Sequence, residues 1–281
     1  LTFSELETPP LDAARRLAED GDLDGAAAIL AELAAQPDNP DQAQAAVGLA
    51  VVLDQRGDVE GARAAARTAL ATGHPEFASQ AACHLAQGFE REGRLEQARG
   101  AWQAVLGIGT PSYVPLAHLA LARLAAELGE YDEAEAELRA AVESGREDGS
   151  GEGPNDGETG HGPAAEARVH AAQQLADLLL EREEPGEAAD VLLDALEYAS
   201  GDDVARLRVQ LGIAHLEMAC AEFAEAIERS GEPQVSALAI ELLARTLPLR
   251  GRDDAAERVW EYGLDHENET LAAEVRLRHG R

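Results

Sequence analysis

Lysine does not occur in the sequence. All 23 basic residues are arginine, against 54 Asp and Glu, and the net charge is −31. A field of that sign repels nucleic-acid phosphates and anionic membrane surfaces, so neither is an expected partner. Uniform use of arginine reads as genome composition, that of a GC-rich bacterium or else of a salt-loving organism, since no local interaction requires it everywhere. Cysteine is almost missing as well. Cys83 and Cys220 are too few for a disulfide framework and read as reduced thiols in helical packing. His84 beside Cys83 points about 100° away on a helix, no further Cys or His stands at ligand spacing, and Asp265-His266-Glu267 is not a zinc-protease motif. No metal or cofactor is expected. No run of 18 apolar residues occurs, so no spanning helix and a cytoplasmic location are expected. A start at Leu1 rather than methionine is expected of a fragment or processed chain. Aromatics are 4% of residues while apolar residues are 45%. The core must therefore be mostly Ala and Leu, which suits closely packed helices rather than sheets.

Alanine is abundant, with 58 of 281 residues, and it is periodic. In residues 122–142, ARLAAELGEYDEAEAELRAAV, two helix-forming runs flank Gly129, with Ala122 seven residues before it and Ala134 five after. The same template fits six other places, with turn positions Gly21, Gly57, Gly93, Glu183, Ala221 and Gly251. The residue seven earlier is Ala14, Ala50, Ala86, Ala176, Ala214 or Ala244; the residue five later is Ala26, Ala62, Ala98, Ala188, Ala226 or Ala256. Fourteen alanines in fourteen places, at one residue in five overall, make this an array of helical hairpins whose backbones approach closely.

Residues 1–10 read as a lead-in and 11–144 as repeats one to four, spaced 36 residues apart. Thr110-Pro111 reads as the start of the fourth repeat's first helix. Residues 145–162, with seven glycines and no large apolar residue, read as a flexible acidic loop, and any break in the stack is expected directly after repeat four. Residues 163–264 hold repeats five to seven; the sixth is read as helices over about 202–219 and 222–229. Residues 265–281 read as a capping helix with Leu271, Val275 and Leu277 inward. Trp102 and Trp260 occupy equivalent places on second helices, which indicates inter-helix packing. Tyr131 and Leu138 are expected to hold the fourth hairpin together.

The residues Leu49/Ala50/Gly57/Ala62, Leu85/Ala86/Phe89/Gly93/Ala98 and Leu121/Ala122/Gly129/Tyr131/Ala134 resemble the tetratricopeptide repeat. The resemblance spans about 11–263 and implies an all-α, right-handed superhelical solenoid of about seven hairpins. It also implies that first helices line a concave groove where a partner peptide or helix binds. By that analogy the candidate binding residues are Gln80, His84, Gln87, Arg91, Arg123, Glu127, His170, Gln173, Gln174, Asp177, Arg208, His215, Glu241 and Arg245. Val51, Glu90, Leu116, Leu119, Met218 and Leu238 share the face. About an eighth of the chain, it holds six of the twelve Gln and three of the eight His. Those side chains donate and accept hydrogen bonds without fixed charge, which suits a peptide backbone. The family's carboxylate clamp of Lys and Asn has no counterpart, since Lys is missing and no Asn lies on the face. The sequence thus points to a non-catalytic scaffold or adaptor that binds another protein, with self-association allowed. The alternative is a sensory or regulatory module of a larger multidomain protein. No nucleophile elbow or marked carboxylate pair supports an enzyme.

Overall fold

The structure, a computed structural model, describes residues 9–144 and 162–280. Its organisation follows from the turns. Gly21, Gly57, Gly93, Gly129 and Gly251 lie in the left-handed region, with φ from 67° to 86°. At Gly129 its own amide donates to Ala126 O at 3.0 Å and the next amide, of Glu130, to Ala125 O at 2.9 Å. The same pair of bonds recurs at the other four and satisfies carbonyls that a helix end would leave open. Glu183 closes repeat five in the same way, through Glu183 N to Leu180 O (3.2 Å) and Glu184 N to Leu179 O (2.8 Å), at φ 63°. Asp22 and Asp58 then start second helices by accepting from Gly25 N and Gly61 N, both at 2.9 Å.

These turns divide the chain into helices α1 Pro9–Glu19, α2 Leu23–Ala34, α3 Gln42–Gln55, α4 Val59–Ala71, α5 Pro75–Arg91, α6 Leu95–Ile108, α7 Val114–Glu127 and α8 Tyr131–Glu143. There follow α9 Pro163–Glu181, α10 Pro185–Ala195, α11 Gly201–Arg229, α12 Pro233–Thr246, a 3-10 turn Leu247–Arg250, α13 Asp253–Leu264 and α14 Glu269–His279. No strand occurs among the described residues, and none of the described helices is long and apolar enough to cross a membrane. The expected loop at 145–162 and the start of the lead-in fall on residues 145–161 and 1–8, outside the described residues.

The helices form two compact units, Leu1–Leu175 with Tyr198–Ser200, and Ala176–Glu197 with Gly201–Arg281. The division falls inside α9, between Leu175 and Ala176. In the first unit the core begins as an alanine seam of Ala14, Ala26, Ala46, Ala50 and Ala66, and becomes larger-grained around Trp102, Val105, Leu121 and Leu124. In the second unit Cys220, Leu243, Leu247 and Ala256 form one cluster, and Ala237, Ile240, Leu271 and Val275 another. Gly263 permits that second cluster: a Cβ there would meet Ile240 and Val275 at 3.0 Å.

Thirteen of the fourteen template alanines are buried. The exception, half-buried Ala226, lies in the sixth repeat, where the expected turn is missing. The helix α11 runs unbroken through Ala221 for 29 residues. Met218-Ala219-Cys220-Ala221-Glu222 contains no glycine or proline, so nothing there opposes the helical backbone. Three smaller expectations are also corrected. First, α7 starts at Val114, not at Pro111, because the Thr110 hydroxyl is engaged elsewhere: it donates to Pro75 O (3.1 Å) and accepts from Ser79 Oγ (2.8 Å). Second, Tyr131 opens α8 with 61% of its surface exposed, so Leu138 carries the packing. Third, Leu277 points outward at 63% exposure, while Leu271 and Val275 are buried.

Candidate partner-docking site

Residues three, four or seven apart share one face of a helix. On α7 that places Leu116, Leu119 and Arg123 together, and on α5 Gln87 and Glu90. With Gln174 of α9 they surround a depression of about 270 Å³ in the first compact unit, whose lining also includes Ala120 and Trp102. All six of these residues belong to the groove face expected from sequence; Trp102 does not. It reaches the floor from the second helix α6, is 1% exposed, and donates from Nε1 to Glu90 Oε1 at 2.7 Å. Arg123 Nη2 donates to Glu90 Oε2, also at 2.7 Å. Glu90 therefore ties the indole under the floor to the cation at the rim. Leu116 and Leu119 are half-buried, and Gln87 and Gln174 are exposed with no hydrogen bond among the described residues. The result is an apolar floor between two amides with free donors and acceptors.

The other assigned residues are distributed differently. Gln80 donates to Glu76 Oε1 (2.9 Å) on its own helix. The same carboxylate accepts from Tyr113 Oη at 2.8 Å; burial and that bond push the phenol up to about 12. His84 lines a second depression of about 170 Å³ with Asp54, Val59, Leu85 and Arg91. Burial lowers its pKa, Asp54 acts to raise it and Arg91 to lower it. Glu127 and His170 are exposed and make no hydrogen bond or ion pair among the described residues, whereas Gln173 is half-buried and engaged. In the second compact unit Asp177 accepts from Gln210 Nε2 at 2.9 Å, and Arg208 and His215 stand exposed on α11. Glu241 is half-buried between Arg278 (2.9 Å) and Arg245 (3.1 Å).

Most of the face arginines are thus not free cations. Arg91 binds Asp54 (2.7 Å) and Arg123 binds Glu90 (2.7 Å), each reaching the acid on the preceding first helix, as Arg278 does to Glu241. These pairs fasten neighbouring repeats. Their spacing of 33 or 37 residues, close to one repeat, is the signal by which sequence reading could have found them. A third depression, of about 380 Å³, lies in the second compact unit beside the unbroken middle of α11, lined by Glu183, Glu217, Cys220, Leu243, Leu247 and Arg252. Its carboxylate Glu217 is already held by Arg250 (3.0 Å) and Arg252 (3.3 Å). No three residues among His, Cys, Asp and Glu come together as a metal site among the described residues.

Left-handed turns of one design, an alanine seam within the hairpins and ion pairs between successive first helices define an all-α repeat protein. The chain belongs to the tetratricopeptide repeat family: residues 11–81 and 83–150 match the model described as Tetratricopeptide repeat. No curated protein matches it in sequence. Among solved structures it is similar to a tetratricopeptide repeat protein from Parabacteroides merdae, with 16% identity over 96% of this chain and 97% of that one and a TM-score of 0.43. It is also similar to a thermophilic TPR protein in Thermus thermophilus, with 27% identity over 74% and 97% and a TM-score of 0.38. A third likeness is to Pseudomonas aeruginosa pilF, with 18% identity over 84% and 96% and a TM-score of 0.39. Repeats of this family generally mediate protein–protein interaction.

Proposed function

We propose that the protein is a non-catalytic scaffold that docks a segment of another protein on the first-helix face of its first compact unit. The observation that carries this reading is the depression over Trp102, where an apolar floor lies between the unengaged amides of Gln87 and Gln174. An aliphatic side chain seated there would leave water, while the amides are placed to donate to and accept from the peptide groups on either side. The non-catalytic part is supported by the direction in which the one perturbed carboxylate among the described residues is shifted. Glu92 is pulled down by its bond from Arg63, and this pair fastens α4 to the turn after α5. A downward-shifted, arginine-bound carboxylate is fitted to hold structure rather than to deliver a proton. We place the protein in the cytoplasm, in keeping with two buried cysteines that are both free thiols.

The test is a paired affinity capture from a lysate of the source organism, using wild type and Leu119→Arg, read by quantitative mass spectrometry. Far-UV circular dichroism and the melting point establish that the variant folds. The proposal expects a small set of proteins depleted about tenfold or more with the variant, the loss that about 1.4 kcal/mol would give. An identical captured set from two equally folded proteins would refute it.

A further inference from the structure

We infer that the occupant of the Trp102 depression is a positively charged peptide segment with one aliphatic anchor residue. This rests on the docking reading above and adds to it the chemistry of the partner. Size sets the first limit. At about 270 Å³ the depression has room for one apolar side chain and the peptide groups on either side of it. The floor of Leu116, Leu119 and Ala120 selects an aliphatic one.

Charge sets the second. Among the described residues Arg123 is the one basic residue that lines the depression, and its Nη2 is already bound to Glu90 at 2.7 Å. An anionic segment would therefore have to displace Glu90 from Arg123, and Glu90 also holds the Trp102 indole in place. What remains unneutralised nearby is negative: Glu127, one turn beyond Arg123 on α7, is exposed and has no ion pair among the described residues. The same sign prevails at long range, because 54 acids face 23 arginines across the chain. A cationic segment is drawn in by that field and meets no free competing cation at the rim among the described residues, whereas an acidic one is repelled at every distance. The attraction weakens as salt shortens the screening length, from about 10 Å at 0.1 M to about 3 Å at 1 M.

The experiment is selection of a displayed library of random short peptides on wild-type protein, with counter-selection on Leu119→Arg. The variant changes the net charge by a single unit, so peptides that merely adhere to an acidic surface bind both proteins and are discarded. Peptides enriched on wild type are then titrated against Trp260→Phe protein, in which the remaining indole, Trp102, reports occupation of the depression through its emission. The inference expects enriched peptides that are rich in Arg or Lys around one Leu, Ile, Val or Met. It also expects them to shift Trp102 emission and to bind about tenfold more weakly at high salt than at low. Enrichment of acidic or uncharged peptides that still require Leu119 would overturn the charge assignment and leave the docking reading standing. If no peptide discriminates wild type from Leu119→Arg, the docking reading falls, and this inference with it.

Discussion

Replacing Glu183 with glycine should make the protein more stable, although the side chain is exposed. Glu183 occupies the turn that glycine fills in five other hairpins, at φ 63°. A residue with a Cβ held in that region costs roughly 1–2 kcal/mol. Glycine removes this strain but gives the unfolded chain more freedom, which offsets about 0.4–1 kcal/mol. The net expectation is about 0.5–1 kcal/mol of added stability, or a melting point higher by about 2 °C. Glu183→Ala is the control: it deletes the charge, keeps the Cβ, and should change little. The same replacement at the matching position of the next repeat should have the opposite sign. Ala221 lies inside α11, where glycine in place of alanine costs roughly 0.5–1 kcal/mol. Urea denaturation followed by far-UV circular dichroism would measure both, with amide hydrogen exchange in α10 and α11 localising the change in an array whose repeats can open separately. Stabilisation by Ala221→Gly, or destabilisation by Glu183→Gly, would refute the assignment of one position as a turn and the other as helix.

Three further outcomes are expected. Ala86→Leu, at a position with no exposed surface, should destabilise by about 1–3 kcal/mol through overpacking, whereas Ala64→Leu on the exposed face of α4 should be nearly neutral in the same denaturation assay. Burial pushes the Cys83 thiol up to about 12. In a Cys220→Ser background it should therefore react with a disulfide reagent at pH 8 at least about a hundredfold more slowly when folded than in denaturant. Burial lowers the pKa of His84. The unfolded chain then binds the extra proton first, so this group favours folding above its ordinary pKa and loses that contribution as pH falls from there through the lowered folded value. His84→Gln should accordingly show a smaller drop in melting point between neutral and mildly acidic pH than wild type does.

The hairpin frame was legible because its two determinants are local. A glycine at φ near 70–80° and an alanine where two backbones meet each leave a mark within a dozen residues, and thirteen of the fourteen alanines are buried as that pattern requires. Repeat five keeps its turn without glycine because Pro185, at the first position of α10, cannot continue α9. Repeat six had the same spacing, yet Ala221 supplies neither a left-handed preference nor an interruption, and the helix continues. For the site, helical periodicity was enough to gather Leu116, Leu119 and Arg123 on one face. The Arg123–Glu90 and Arg91–Asp54 pairs depend on residues brought together by stacking, 33 and 37 positions apart, so a single-helix pattern shows them only as free charges. Trp102 was legible as packing, since it is buried; that it floors the depression through its bond to Glu90 depends on the crossing of α6 with α5, which no single-helix pattern encodes.

The most direct test of docking at the first-helix face is site-specific photo-crosslinking in the living source organism. A photoreactive residue at Gln87 would stand at the rim of the Trp102 depression, and one at Gln103 would stand exposed on the second helix α6. The account predicts a discrete crosslinked partner from position 87 that is lost when Leu119→Arg is added, and no such product from position 103. Crosslinking from position 87 that survives Leu119→Arg, or the same partner captured equally from position 103, would contradict it.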